Sequence, residues 1–138
     1  METHNDEKPK SGESWMDFFY RKKKVAELIL LAWSISEFDI DQLVSRQFNL
    51  SYTDEKSKFL TDMTFHHKLE FLKKQKALTK SQFDKVKKFK DMRNDLYHGK
   101  NHFWFVKSEK EQEEMMKIAM SAAKVFMHAL LGIEPKKR

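Results

Sequence analysis

The fold is decided by the stretch TKSQFDKVKKFKDMRNDLYHG, residues 79–99. Thr79 and Gln82 have the spacing of a capping box, which predicts the start of a helix, and Gly99 predicts its end. Between them, apolar residues recur every three or four positions: Phe83, Val86, Phe89, Met92 and Leu96. This spacing places them on one face of a helix, so the stretch is predicted to be a long amphipathic helix that packs against a core.

Glycine and proline are rare around this helix. The 138-residue chain has three glycines and two prolines, and neither residue type occurs between Glu13 and His98. Proteins built from β-strands need these residues in their turns. The chain is therefore predicted to be all-α, a four- to five-helix antiparallel bundle.

A first long helix is predicted to begin after Ser14, because Ser14 and Asp17 have capping-box spacing. Its apolar residues then recur at steps of three, four and seven: Phe18, Val25, Leu28, Ala32 and Ile35. Residues 39–48 are predicted to continue this helix or to form a short second one.

Two further helices complete the predicted bundle. One covers roughly residues 53–76, after a link at 51–56. The other begins at a capping box opened by Ser108 and stops at Gly132. Its inward seam is narrow: Met115, Ala119, Ala122, Phe126 and Ala129.

Composition limits the class of protein. With 40% hydrophobic residues the chain can form a core, and with no cysteine it has no disulfide, thiolate zinc site or cysteine nucleophile. The longest apolar run, Leu28–Trp33, is too short to cross a membrane, and the polar beginning METHNDEKPK is not a signal peptide. We therefore expect a cytoplasmic protein without a membrane partner.

One domain is predicted over 13–133, between a flexible segment at 1–12 and a basic tail at 134–138.

Positive charge is concentrated in the middle of the chain. The net charge is +6, and 13 Lys and Arg face five Asp and Glu between Lys56 and Lys100. This run is either the solvated faces of amphipathic helices or a surface that binds phosphates.

Arg93 and His98 form the segment with the clearest chemistry. His98 precedes Gly99 and so falls in the last turn of the predicted helix, where unpaired carbonyl groups favour the imidazolium. A histidine can exchange a proton with a sugar hydroxyl, and an arginine can bind a phosphate through two hydrogen bonds. These groups suffice for metal-independent RNA cleavage through the 2′-hydroxyl, which leaves a 2′,3′-cyclic phosphate.

The same residues give the chain a resemblance to the HEPN superfamily, whose members are small helical domains with an R-x4-6-H motif. Arg93 is followed by the polar Asn94, and His98 by Gly99, as in the fuller form of that motif. The preceding sequence from about residue 60 also resembles the helix pair that stands before the motif in many members. The resemblance implies a helical bundle that forms a homodimer, with two motifs facing each other in a composite ribonuclease site.

In such a site Arg93 would orient the phosphate, His98 would act as acid or base, and Asn94 would support the geometry. RNA would be the substrate, and no cofactor is implied. Many members are toxins of toxin–antitoxin or phage-defence systems, which implies an antitoxin or other protein partner. Toxins paired with nucleotidyltransferase-like antitoxins extend the motif to H-x-Y, but Lys100 occupies that position here and Tyr97 precedes the histidine. This difference argues against that form of regulation.

Two other hypotheses remain open. Some members of the family bind nucleotides or act as scaffolds, so the chain could be a non-catalytic module that binds nucleotide, RNA or a protein. It could also be a structural bundle in which the motif only ends a helix.

His98 and His102 are four apart, but Gly99 interrupts the helix between them, so no metal site is predicted. The aromatic residues 103–105 are suited either to packing or to stacking on bases.

Other polar clusters have simpler interpretations. His66, His67 and Glu70 are predicted to form surface hydrogen bonds or to pack partly in the core. The acidic residues at 37, 39 and 41 are predicted to lie at a solvated helix end rather than to supply a general base.

Overall fold

The computed structural model describes residues 7–48, 60–97 and 107–132, apart from the side chain of Tyr97. These ranges contain five helices of seven residues or more and no strand. The helices are α1 (Trp15–Arg21), α2 (Val25–Gln47), α3 (Phe65–Lys74), α4 (Lys80–Tyr97) and α5 (Glu109–Leu131). The prediction of an all-α bundle is confirmed.

The four longer helices surround one core. α2 packs most extensively on α5, α4 also packs on α5, and α3 contacts both α2 and α4. The short α1 packs on α2. Several large side chains are completely buried between these helices: Leu28, Ile40, Leu69, Leu72, Val86, Phe89 and Phe126.

α3 and α4 run in opposite directions. The Lys73 ammonium lies 4.4 Å from the centre of the Phe83 ring near one end of the pair, and Lys90 Nζ lies 3.5 Å from His66 Nδ1 near the other. α2 and α5 instead run in the same direction, since Arg46 at the end of α2 donates a hydrogen bond to the carbonyl of Leu130 at the end of α5. The antiparallel arrangement predicted for the bundle does not hold for this pair.

The apolar spacing predicts the buried faces of α4 and α5. The predicted residues Phe83, Val86 and Phe89 are buried, and Met92 and Leu96 are partly buried against the core. On α5 the seam residues are buried from Met115 to Phe126, and Ala129 is partly buried.

The predicted helix starts are found as well. The Ser14 hydroxyl accepts a hydrogen bond from the Asp17 amide at 3.0 Å. Complete reciprocal capping boxes join Thr79 to Gln82 and Ser108 to Glu111. Gly132 ends α5 in the left-handed conformation, at φ 70°. The predicted link at 51–56 and the tail at 134–138 lie outside the described residues.

The predicted first helix is wrong in one respect, because it consists of two helices. α1 ends at Arg21, and Lys23 adopts the left-handed conformation with φ 57° before α2 begins. The amides of Lys23 and Lys24 bond back to the carbonyls of Tyr20 and Phe19, which is the Schellman pattern of a helix end. Glycine is the usual signal for this ending, and here a lysine takes its place. Residues 39–47 continue α2, which is the first of the two predicted alternatives.

The predicted helix over 53–76 is also interrupted. Leu60 and Thr61 are helical, but a turn follows at Asp62 and Met63, and α3 begins only after Thr64. The Thr64 hydroxyl accepts a hydrogen bond from the His67 amide at 3.1 Å, so it caps α3. This cap was not predicted, because apolar spacing alone does not distinguish a continuous helix from two consecutive ones.

Replacing Lys76 by glycine is expected to stabilise the protein by about 0.5–1 kcal/mol. Lys76 ends α3 at φ 59°, in a second Schellman pattern closed by the Ala77 amide and the Leu72 carbonyl at 2.9 Å. A left-handed conformation costs a residue with a Cβ roughly 1–2 kcal/mol, and glycine avoids this cost but loses more entropy on folding. Urea denaturation measures the difference.

Lys74→Gly is the matched control, because it removes the same side chain from inside the last turn of α3. It is expected to destabilise the protein by about 1 kcal/mol. Equal destabilisation by both substitutions would show that α3 does not end in this conformation.

Candidate functional site

Arg93 lies on the row of α4 that faces the core. Gln82, Val86 and Phe89 occupy this row at helical spacing and are buried, and Arg93 follows four residues later. Its side chain is partly buried, with Nε inside the protein. Burying a guanidinium costs free energy that an apolar residue would not cost. An arginine at this position therefore needs partners for its guanidinium that an apolar residue would not need.

Trp33 of α2 positions the Arg93 guanidinium. The guanidinium carbon lies 4.3 Å from the centre of the indole ring, within the range of a cation–π interaction. Trp33 is 8% exposed, and its ring centre lies 4.5 Å from that of Phe65 and 5.8 Å from that of Phe89. Residues of α3 and α4 thus hold the indole in place, and the indole in turn supports the guanidinium.

This support has a chemical consequence. A guanidinium is planar, and its N–H groups point outward along its edge, where they match two oxygens of a phosphate. The contact with Trp33 therefore restricts the motion of a side chain whose donors are suited to a phosphate.

The other motif residues are only partly described. Asn94 is partly buried on α4, immediately after Arg93. α4 remains helical through Tyr97, the residue before His98. His98, Gly99, Lys100, His102 and the aromatic residues at 103–105 lie outside the described residues. The pairing of Arg93 with His98 thus stays a prediction.

Charge differs between the two halves of the bundle. α3 and α4 together carry nine Lys and Arg against four Asp and Glu, whereas α2 and α5 carry four against eight. Within the basic half, Lys74, Lys85 and Lys88 form no ion pair with any described residue. The basic half includes the helix that carries Arg93, so it is suited to a polyanion that approaches this residue.

Asp91 neutralises part of the basic charge on α4. It pairs with Lys87 at 2.9 Å and with Lys90 at 3.3 Å. Burial acts to raise the pKa of Asp91, but the hydrogen bonds from these two lysines outweigh it and lower that pKa below its ordinary value. The same hydrogen bond from Asp91 raises the pKa of Lys87. Both groups are therefore charged at neutral pH.

A groove separates the end of α4 from the start of α5, within one helical turn of Arg93. It encloses about 480 Å³ and is lined by apolar and charged residues, among them Met92, Leu96, Asp95 and Glu114. The Glu111 carboxylate at its edge accepts a hydrogen bond from the Ser108 amide, which lowers the pKa of Glu111. The groove can accept a group with both apolar and polar edges.

The other polar clusters considered as candidates lie on α3 and α2. His66 and His67 are exposed on α3. Of the acidic residues at the middle of α2, Asp41 pairs with Lys68 at 2.6 Å, Glu37 is exposed, and Asp39 lies in an apolar groove described below. In the part of the chain that the structure describes, no three His, Cys, Asp or Glu residues are grouped so that they could hold a metal ion.

The contact between Trp33 and Arg93 was not predicted. In the sequence Trp33 is notable only as the end of an apolar run, and the two residues lie on helices far apart in sequence.

None of the helices described is both long and apolar enough to cross a membrane. No protein-family model, curated protein or solved structure matches the chain.

Proposed function

We propose that this chain is a metal-independent endoribonuclease of the HEPN type, with Arg93, Asn94 and His98 in its active site. The observation that carries the proposal is the position of Arg93. Arg93 occupies the core-facing row of α4, its guanidinium packs on Trp33, and a guanidinium carries the donors that suit a phosphate. His98 is five residues further along the sequence and follows Tyr97, the last residue of α4.

In the proposed reaction His98 removes the proton of an RNA 2′-hydroxyl. The 2′-oxygen forms a bond to the adjacent phosphorus, the bond from phosphorus to the 5′-oxygen breaks, and the leaving oxygen takes up a proton. The products are a 2′,3′-cyclic phosphate and a 5′-hydroxyl. Arg93 would donate hydrogen bonds to the non-bridging oxygens, where negative charge develops in the transition state. Asn94 would support this geometry.

We propose further that the site is composite and forms in a homodimer. One histidine cannot both remove the first proton and already carry the second one. A second copy of the motif facing the first would supply the protonated histidine that the leaving oxygen needs. The basic faces of α3 and α4 would bind the RNA backbone and direct it to Arg93.

A cleaving site of this kind fits a toxin or phage-defence effector, which acts on RNA in the cytoplasm and is restrained by an antitoxin or other protein partner.

The groove between α4 and α5 favours a second candidate function, a module that binds a nucleotide or RNA without cleaving it. Its volume of about 480 Å³ lies in the range of small-molecule sites, and apolar and charged side chains both line it.

The test is an RNA-cleavage assay in the presence of EDTA, with light scattering to measure the oligomeric state. The unmodified protein is expected to leave 2′,3′-cyclic phosphate ends, and a 2′-deoxy nucleotide at the cleavage position is expected to block the reaction. His98→Ala is expected to reduce the rate at least ~100-fold. His67→Ala, which removes an exposed histidine of α3, is expected to leave it unchanged.

Three other results would contradict parts of the proposal. Full activity in His98→Ala would remove this residue from the site. Intact RNA that stays bound, with binding that weakens steeply as salt is raised, would favour the non-catalytic module. Cleavage by a protein that light scattering shows to be monomeric would rule out the composite site.

A further inference from the structure

α1, α2 and α5 enclose a second groove, which plays no part in the proposed ribonuclease site. It holds about 570 Å³, and its walls include Trp15, Leu31, Ile35, Asp39 and Met127. Leu31 and Ile35 are each two residues from Trp33, which is ~200° around a helix. The groove therefore lies on the side of α2 that faces away from Arg93.

The groove is apolar and open to solvent. Trp15 is 53% exposed and Met127 46%, although burying such side chains would be favourable. Two more exposed apolar residues continue the surface beyond the groove, Phe38 on α2 and Leu131 on α5. From Leu31 to Asp39 the wall formed by α2 is about 12 Å long at 1.5 Å per residue. This length corresponds to two turns of a docked helix.

Asp39 gives the groove a specific charge. Its carboxylate is half-buried, and it forms no ion pair with any described residue, including Lys124 in the opposite wall. Burial raises the pKa of Asp39, because the surroundings disfavour the charged form. A cation placed beside this carboxylate would replace the solvation that it has lost.

Charge also selects between possible occupants. The charged side chains that line the groove are Asp17, Asp39 and Lys124, which give it a net negative charge. Two copies of this chain that met through the groove would have their Arg93 residues facing away from each other, so this contact would not form the proposed composite site. RNA is disfavoured, because its phosphates would repel the Asp39 carboxylate. Charge complementarity favours a basic partner.

We propose that this groove binds an amphipathic helix of a partner protein, with the apolar face of that helix on Trp15 and Met127 and a lysine or arginine at Asp39. Helix-in-groove binding of this kind buries an apolar stripe and uses charged flanks for specificity. The proposal is independent of the ribonuclease activity, since it uses none of the residues of that site.

The test uses two synthetic helical peptides with the same leucine stripe, one flanked by lysines and the other by glutamates. Isothermal titration calorimetry with the full chain is expected to detect the lysine peptide and at least ~10-fold weaker binding of the glutamate peptide. Met127→Ala and Trp15→Ala are each expected to weaken the lysine peptide about 10-fold. Asp39→Asn is expected to weaken binding of the lysine peptide by a similar factor and to leave binding of the glutamate peptide unchanged.

Two substitutions on α2 outside the groove serve as controls. Leu30→Ala removes an apolar side chain that is 56% exposed, and Glu37→Gln removes an exposed carboxylate. Neither is expected to change the affinity, and circular dichroism verifies that every variant is folded. The proposal is overturned if neither peptide binds, if both bind equally, or if Leu30→Ala weakens binding as much as Met127→Ala does. It is also overturned if Met127→Ala converts a dimer into monomers.

Discussion

Replacing Arg93 by alanine is expected to lower the rate of RNA cleavage by at least ~100-fold while the bundle stays folded. Removing a donor that stabilises charge in a transition state typically costs a factor of about 10²–10³. Loss of the contact with Trp33, at 4.3 Å, is expected to cost only about 1 kcal/mol of stability. Single-turnover cleavage measures the first effect and thermal denaturation the second.

Arg93→Lys separates charge from geometry at this position. Lysine keeps the positive charge but has a single ammonium in place of the planar fork, so it can neither bind a phosphate through two parallel hydrogen bonds nor lie flat on the indole. We expect it to recover less than a tenth of the activity. Lys85→Ala removes an exposed charge of the same helix and is expected to change RNA affinity without changing the single-turnover rate. Full activity of Arg93→Lys would mean that the residue acts only as a point charge.

Replacing Trp33 by alanine is expected to destabilise the protein by about 3–5 kcal/mol, the usual cost of removing a large buried aromatic side chain. The indole is 8% exposed and contacts Phe65, Phe89 and Arg93, so its loss leaves a cavity shared by three helices. Urea denaturation measures the change. Trp15→Ala is the control, because Trp15 is 53% exposed, and it is expected to cost about 1 kcal/mol or less.

Trp33→Phe tests whether the indole of Trp33 is also needed for RNA cleavage. A phenyl ring fills part of the space and keeps an aromatic face, so we expect a smaller loss of stability and a protein that remains folded. The face is smaller, and phenylalanine attracts a cation less strongly than tryptophan does. Cleavage by the folded variant is expected to fall about 10-fold. Unchanged cleavage would show that Trp33 supports the core but does not position Arg93.

Local signals in the sequence were sufficient for most of the fold. Hydroxyl caps at Ser14 and Ser108 and apolar spacing on α4 act within one or two helical turns, so they can be recognised without knowledge of the neighbouring helices. The helix ends at Lys23 and Lys76 could not be recognised in this way. Their left-handed conformation is unusual for lysine, and the backbone hydrogen bonds that stabilise it leave no mark in the sequence.

The candidate site, like the fold, could be predicted only in part from the sequence. The spacing of Arg93 and His98 is local and could be noticed directly. The contact of Arg93 with Trp33 depends on how α4 packs against α2, and the open groove around Asp39 depends on how α1 and α5 pack there. Such contacts join residues distant in sequence, and no pattern within a single helix predicts them.

The place of Arg93 on the core-facing row limits how α4 can change in evolution. Each residue in a helix turns it by about 100°, so one inserted residue between Phe89 and Arg93 would rotate the arginine away from Trp33. A deletion there would rotate the arginine in the opposite direction and would also move it away from Trp33. Substitutions on the exposed face of α4 carry no such penalty. The proposed activity therefore requires a fixed number of residues between the last buried phenylalanine of α4 and the arginine, whatever the identity of the residues between them.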